Sequence, residues 1–458
     1  METQVLTILC GDALEKLREL PSESIHCCVT SPPYWGLRDY GTASWEGGLE
    51  ECDHQSPPRG GRNPETAGKQ LTNAGTLDYQ FNGDCGKCGA KRIDSQLGLE
   101  KTPEEYVAKM VEVFREMRRV LRKDGTLWLN LGSSYASASA CDRRNIVGNG
   151  SPDSNCQRPN RLGGAFKDKD LIPIPWMVAM ALQADGWYLR QDIIWAKPNP
   201  MPESVTDRCT KAHEYLFLLT KSARYFYDAE AIKEKANPNY VSRYDYEFNV
   251  GAKETNGAGR PDAQSNTPGR KEFNGNRNKR SVWTVATAPY PDAHFATYPP
   301  DLIKPCIMAG TSAKGCCAKC GAPWERIMER GREYHHETYR DGKTMDGPYA
   351  KQAEIRNGIL PISKTLGWQP TCECGLEESG YDVKQYGNLR IPVEKESLPY
   401  WITNTLIPCT VLDPFAGSGT TGAVALELGR KAMLIELNPK YVGLIETRCN
   451  VTMGLALA

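Results

Sequence analysis

The stretch Val411-Leu412-Asp413-Pro414-Phe415-Ala416-Gly417-Ser418-Gly419-Thr420-Thr421 decides the fold class. An apolar strand enters a glycine-containing turn, and the spacing beyond it predicts a helix from Thr421 to Leu428. Glycine in such a turn lets a ligand approach the backbone, and the helix N-terminus offers unpaired N–H groups at the positive end of a dipole. The next predicted strand, Ala432 to Ile435, ends in Glu436, where an acidic side chain in a nucleotide-binding α/β fold accepts hydrogen bonds from ribose hydroxyls. A glycine turn that only packs helix on strand is the plainer alternative. Asp413, the strand context and Glu436 together favour a ligand site.

Far upstream, Ile25 to Thr30 reads as a buried strand that runs into Ser31-Pro32-Pro33-Tyr34-Trp35-Gly36. Proline has no N–H and restrains the residue before it, so the pair fixes an extended backbone whose carbonyls no ladder consumes. Ser31 adds a neutral acceptor and Tyr34 an aromatic face. An exocyclic amino group of a nucleobase would find two acceptors and a stacking surface there. A Pro-Pro turn that merely ends a strand is the competing explanation.

The whole chain has 458 residues, with Lys+Arg 56 against Asp+Glu 56, 40% hydrophobic residues and 17 Cys. Its length suits two or three domains, or one large α/β domain with insertions. No run approaches the ~20 apolar residues of a membrane span, and Met1 to Leu20 carries Asp12, Glu15, Lys16, Arg18 and Glu19 where a signal peptide is apolar. A cytoplasmic protein without a membrane partner is expected. Zero net charge argues against a uniformly basic nucleic-acid binder and leaves local patches open.

Outside the two motifs, strands are predicted at Gln4 to Leu9, Thr126 to Leu131, Trp187 to Trp195 and Glu214 to Thr220. Helices are predicted at Ala13 to Leu20, at Pro175 to Ala184, and from Thr102, as N-cap, to a stop at Lys123-Asp124-Gly125. Periodicity is lost from Asp39 to Leu99, from Ser134 to Asp170 and from Lys235 to Arg280. The last of these segments holds Arg243, Lys253, Arg260, Arg270, Lys271, Arg277, Lys279 and Arg280 with Tyr240 and Tyr244, a mixture suited to phosphate contact and stacking, or to a solvated loop.

An odd cysteine count without an export signal disfavours a disulfide framework. Cys317 and Cys320 with Cys372 and Cys374 supply four thiolates in two close pairs. Cys52 and His54 with Cys85 and Cys88 supply three thiolates and an imidazole. Both sets suit tetrahedral Zn2+ of a structural kind, and the strings C-G-K-C-G-A and C-A-K-C-G-A resemble the knuckle turn of zinc ribbons. Buried free thiols are the alternative, and Cys316 competes with Cys317 for one ligand place.

The S-P-P-Y and D-P-F-A-G-S-G-T-T strings, in that order, resemble the β-class, permuted DNA amino-methyltransferases, which use S-adenosyl-L-methionine to modify cytosine N4 or adenine N6. The resemblance implies an α/β, Rossmann-like, circularly permuted fold, with a mixed seven-stranded sheet, helices on both faces and here two zinc-ribbon-like insertions. It assigns Asp413, Pro414, Phe415, Gly417, Ser418, Gly419 and Thr420 to the cofactor, with Glu436 on its ribose and Asp12 near its adenine end. Ser31, Pro32, Pro33 and Tyr34 become catalytic. His294 to Pro299 resembles the motif before the first cofactor helix, with Phe295 where proline is usual, and Trp195 to Pro200 resembles a target-pocket segment. Ser31 favours cytosine N4, with adenine N6 as the alternative.

On this basis the methyltransferase domain comprises residues 1–44 (catalytic half), 101–234, and 291–312 with 377–458 (cofactor half). Residues 45–100 and 313–376 are metal-binding insertions, and 235–290 a DNA-recognition segment. The partner expected is double-stranded DNA, with a cognate restriction endonuclease or none, as in an orphan phage enzyme. RNA or protein amide methylation, and a non-catalytic zinc-containing DNA-binding protein, are the rival readings.

Overall fold

The computed structural model describes residues 5–36, 44–49, 51–52, 85, 87–93, 96–136, 166–167, 169–235, 276–288, 297–333, 360–374 and 406–456. The chain divides into two compact units: Met1–Tyr227 with Arg280–Gly315 and Ile407–Ala458, and Asp228–Lys279 with Cys316–Leu406. Of the sequence expectations, His54, His294, Phe295, Tyr240, Tyr244, Arg243, Lys253, Arg260, Arg270 and Lys271 lie outside the described residues.

The first unit is built on one sheet of eight strands: β1 (Leu6–Cys10), β2 (Ile25–Thr30), β3 (Leu121–Leu131), β4 (Tyr188–Ala196), β5 (His213–Thr220), β6 (Val282–Thr284), β7 (Thr410–Asp413) and β8 (Lys431–Glu436). Their order across the sheet is β1-β8-β7-β2-β3-β5-β4-β6. All pairings are parallel except those of β5, which runs against β3 and β4. Among the described residues six helices accompany it: α1 (Ala13–Glu19), α2 (Pro103–Val120), α3 (Ile174–Ala184), α4 (Pro300–Gly310), α5 (Thr420–Glu427) and α6 (Pro439–Ala456). The alternation of β2 shows the two helical layers. Cys28 belongs to the cluster of Leu17, Met117 and Leu182 from α1, α2 and α3, whereas Cys27 faces Cys306 and Gly310 of α4.

Local chemistry accounts for the elements next to the motifs. Thr102 caps α2, its hydroxyl accepting from the Glu105 amide at 3.2 Å, and Pro103 follows at the first helical position. Tyr106, Met110, Val113, Phe114, Met117 and Val120 form the buried face. Asp12 caps α1 in the same way, accepting from the Leu14 and Glu15 amides.

Two expectations are corrected. The sheet has eight strands rather than seven. The added one, β6, is only three residues long, too short to carry a period, and it is fixed by Trp283, buried with its ring centroid 6.4 Å from that of Trp128. Helix α2 does not continue to Lys123-Asp124-Gly125: it ends at Val120, and β3 starts at once, with Arg122 paired to Asp124 at 2.9 Å. Gly125 is needed inside that strand, because a Cβ there would lie 2.7 Å from the Leu121 side chain and 3.0 Å from the His26 carbonyl oxygen.

Candidate active site and thiolate clusters

Ligands of open α/β sheets bind outside the carboxyl ends of the strands, at the point where the connections diverge. Here β7 leads through α5 to β8 on one side, and the neighbouring β2 leads through α1-side packing and α2 to β3 on the other, so the divergence falls between β7 and β2. The two sequence motifs leave the sheet at that gap. Asp12 follows β1 and Glu436 ends β8 on the same edge, and the Gly11 amide donates to the Glu436 carbonyl at 2.9 Å.

Asp413 is buried, and both its oxygens are occupied. Oδ1 accepts from the Thr30 hydroxyl at 2.6 Å and the Phe415 amide at 3.0 Å; Oδ2 accepts from the Tyr298 hydroxyl at 2.8 Å and the Thr421 hydroxyl at 2.6 Å. Burial raises its pKa against the pull of these donors. Thr30 is the residue directly before Ser31, so this carboxylate ties the end of β2 to the glycine turn. Ser418 and Thr420 are buried too, and each hydroxyl accepts from Arg448 of α6 at 2.8 Å. Gly417 and Gly419 have φ of +53° and +79°. The Gly417 amide donates to Glu436 Oε2 at 2.8 Å, and the Asn438 amide donates to Oε1 at 2.9 Å. Burial pushes Glu436 up to about 7, and among the described residues it has no ion-pair partner. A buried carboxylate held only by amides suits neutral hydroxyl donors.

On the other side of the gap, Pro32 is buried and the Pro33 carbonyl accepts from the Tyr106 hydroxyl at 2.9 Å. Trp35 is anchored through its indole N–H on the Glu100 carbonyl at 3.0 Å. Tyr34 is half-buried, and its hydroxyl donates to Glu214 Oε2 at 2.7 Å, with Asn130 Oδ1 at 3.0 Å. The Ser31 hydroxyl points to Tyr34 Oη at 3.4 Å. Burial, then the Glu214 charge, raises the Tyr34 pKa well above the ordinary phenol value. Lys197 pairs with Glu214 and lies 4.2 Å from the Trp195 ring centroid.

Neither Glu214 nor Asn130 stands out in the sequence alone. The signal was an acidic residue at the start of the otherwise apolar run H-E-Y-L-F-L-L-T. Because β5 is antiparallel, its first residues lie at the edge where its neighbours end, opposite Leu131 and Trp195.

Among the described residues, two groups hold three or more cysteines. In the second unit the sulfurs of Cys317, Cys320, Cys372 and Cys374 all lie within 4.8 Å of one another; Cys317, not Cys316, is the member. An antiparallel pair, Glu325–Glu333 with Leu360–Gln369, leads from the first two cysteines to the last two. In the first unit Cys52, Cys85 and Cys88 satisfy the same distance limit, with Cys52 and Cys85 sulfurs 3.8 Å apart. Both groups use one turn. Cys85 N–H donates to the Ala90 carbonyl at 2.6 Å and Gly89 N–H to Cys85 at 2.8 Å; Cys317 N–H donates to Ala322 at 2.9 Å and Gly321 N–H to Cys317 at 2.8 Å. Gly89 and Gly321 have φ of +72° and +71°.

A family model described as DNA methylase, for N6 and N4 methyltransferases, matches residues 25–318 and 408–447. Type II methyltransferase M.Cfr9I of Citrobacter freundii is 39% identical over 315 residues, covering 68% of this chain and 74% of that protein. Type II methyltransferase M.SfiI of Streptomyces fimbriatus is 30% identical over 449 residues, covering 94% of this chain and 88% of its own. Among solved structures, PvuII DNA methyltransferase (cytosine-N4-specific) superposes with a TM-score of 0.43 at 13% identity, over 99% of this chain and 93% of that one, a level from which no residue correspondence follows. With its α/β sheet and the two motifs on one edge of it, the chain belongs to the S-adenosylmethionine-dependent DNA amino-methyltransferase family.

Proposed function

We propose that the protein methylates the exocyclic amino group of a base flipped out of duplex DNA, cytosine N4 in preference to adenine N6, on a permuted methyltransferase scaffold. The observation that carries this reading is the Thr30–Asp413 hydrogen bond of 2.6 Å, which joins the Ser31 to Tyr34 segment to the glycine turn at one sheet edge. S-adenosylmethionine supplies an electrophilic sulfonium methyl when bound. The ring of Phe415 and the close approach that Gly417 and Gly419 allow would hold it, with Pro414 stiffening the turn, Glu436 accepting from ribose hydroxyls and Asp12 at the adenine end. Asp413, Ser418 and Thr420 shape the turn from behind, since their polar atoms are already engaged by protein groups.

An aromatic amine is a poor nucleophile because its lone pair is delocalised into the ring. Ser31 Oγ and the Pro32 carbonyl would accept its two hydrogens and draw the nitrogen toward tetrahedral geometry. As nitrogen takes the methyl, with the sulfur–methyl bond broken and one amino proton released to water, those contacts strengthen on the increasingly positive nitrogen, so they favour the transition state. Pro33 keeps the backbone extended, and the ring of Tyr34 offers a stacking face. Extruding the base costs a few kcal/mol, offset by stacking and hydrogen bonds. Ser31 favours cytosine, serine at this place being commoner among cytosine-modifying family members and aspartate common among adenine-modifying ones. The experiment is transfer of labelled methyl to duplex DNA, followed by mass spectrometry of the nucleosides. N4-methylcytosine is expected, and N6-methyladenine alone would reverse the choice of base.

Both thiolate groups fit structural zinc. With Zn–S bonds near 2.3 Å, a tetrahedron places sulfurs about 3.8 Å apart, which is the Cys52–Cys85 separation. Zinc would be held by Cys317, Cys320, Cys372 and Cys374, and by Cys52, Cys85 and Cys88 with His54 as fourth ligand. Metal analysis of the protein purified without chelator should give two zinc per chain. Loss of one equivalent in Cys320→Ser and of the other in Cys88→Ser would assign them; a metal-free, fully folded wild type would remove the proposal. The basic residues of 235–290 are proposed to contact DNA, and the likeness to Type II methyltransferases makes a cognate restriction endonuclease the natural partner.

A further inference from the structure

We infer that Glu214 is a positioning residue for methyl transfer, one that sets the direction of a hydroxyl chain and so keeps Ser31 an acceptor. The inference rests on the catalytic reading of Ser31. A serine hydroxyl can donate or accept, and only the second helps here, because the target amino group already brings the hydrogens. Something must occupy the Ser31 proton elsewhere. In the structure Ser31 donates to Tyr34 Oη at 3.4 Å, and Tyr34 donates to Glu214 Oε2 at 2.7 Å. An ionised carboxylate can only accept, so it fixes the polarity of the chain from its far end. Asn130 Oδ1, at 3.0 Å from Tyr34 Oη, is the weaker competitor for the phenol proton, since the charge-assisted bond is the shorter and stronger.

The surroundings of Glu214 are built for that role. Its side chain is only 17% exposed, and it receives partners from three separate elements: Tyr34 after β2, Asn130 Nδ2 at 3.3 Å near the end of β3, and Lys197 after β4. Taking a carboxylate out of water costs several kcal/mol and an apolar residue would fill the space more cheaply. The ring of Tyr34 is held from the other side by Gly132, where a Cβ would come within 2.7 Å of Cε2. Tyr34 therefore has little freedom to turn its hydroxyl away.

Glu214→Gln separates this role from simple packing. The amide has nearly the same shape but carries an NH2 group. With its oxygen retained by Lys197, that NH2 donates to Tyr34 Oη and removes the charged acceptor that fixed the phenol proton, which can then turn to Asn130 Oδ1 or to Ser31 Oγ; the chain loses its imposed direction, and in the second arrangement Ser31 is left donating toward the target. Single-turnover methyl transfer at saturating S-adenosylmethionine and DNA should fall about tenfold or more in Glu214→Gln, with S-adenosylmethionine affinity and melting temperature close to wild type. Glu214→Asp should recover part of the rate. Ser31→Ala removes the acceptor outright, so Ser31→Ala/Glu214→Gln should be no slower than Ser31→Ala by more than about twofold. A Glu214→Gln enzyme at the wild-type rate, or losses that multiply in the double variant, would overturn the inference. A wild-type protein that transfers methyl to no duplex DNA would instead overturn the functional reading beneath it.

Discussion

The two segments that meet between β7 and β2 are held in opposite ways. The glycine turn spends its own polar side chains on the scaffold: Asp413 collects four donors, Ser418 and Thr420 accept from Arg448, and what remains to face a ligand is the ring of Phe415 and the close backbone approach that Gly417 and Gly419 allow. The Ser31 to Tyr34 segment leaves the Ser31 and Pro32 oxygens to accept in the site and is held through its other polar atoms by residues that come to it, Tyr106 on the Pro33 carbonyl and Glu214 on the Tyr34 hydroxyl. A cofactor common to a family can be gripped by a preformed backbone. A reacting base needs side-chain atoms whose orientation is imposed from outside.

Substitution at Asp413 tests the first half of the contrast most severely. Asp413→Ala leaves the Thr30, Tyr298 and Thr421 hydroxyls facing a cavity, and a loss of about 3 kcal/mol or more in denaturant unfolding is expected, together with loss of S-adenosylmethionine binding. A variant that unfolds like wild type would show that the turn does not depend on this knot.

Glu436 gives a smaller effect with a sign that can be read against pH. Below the ordinary carboxylate range the group is protonated, folded or unfolded. From there up to about 7 the folded protein holds the proton more tightly than the unfolded chain, so this group's contribution to stability falls over that window and levels off above it. Ribose hydroxyls donate to the ionised form, so cofactor affinity should rise by up to about tenfold per pH unit as pH climbs toward 7, then flatten. Calorimetric titrations at pH 5.5 to 8.5 would check it, and Glu436→Gln should abolish the slope. The mildest probe is Gly419→Ala. With φ at +79° and a Cβ placed 3.1 Å from Ile445, it should cost about 1–2 kcal/mol in thermal unfolding while sparing the Ser31 side.

The same contrast explains what could be read from the sequence. The glycine turn was legible because strand, turn, helix and Glu436 are contiguous. The Pro-Pro string was legible because proline acts on its own backbone. Glu214, Asn130 and Arg448 were not, since each acts through a register or helix face that exists only once distant segments pair. Strand β6 was missed for want of length, and the β3 start was misplaced because a lysine, an aspartate and a glycine in a row read as a helix stop, whereas the chain is already extended at Leu121. The cysteine groups came through in their spacing. The choice of Cys317 over its neighbour needed coordinates.

The interleaving of early and late strands also bears on how the molecule is made. Among the described residues strand β1 lies at the end of the sheet and pairs with β8 alone, Leu6 against Ala432, while β2 has β7 on one side, Val411 opposite Cys27, and β3 on the other. During synthesis β1 and one edge of β2 therefore wait until residues 410–436 emerge, although β2 can pair with β3 on its other side much earlier. Such long-range closure is slow and exposes strands to wrong pairing. A nascent chain of this kind gains its methyl-transfer pocket in a single late step, so premature release would leave a product without either the cofactor turn or a finished sheet, rather than a partly active enzyme.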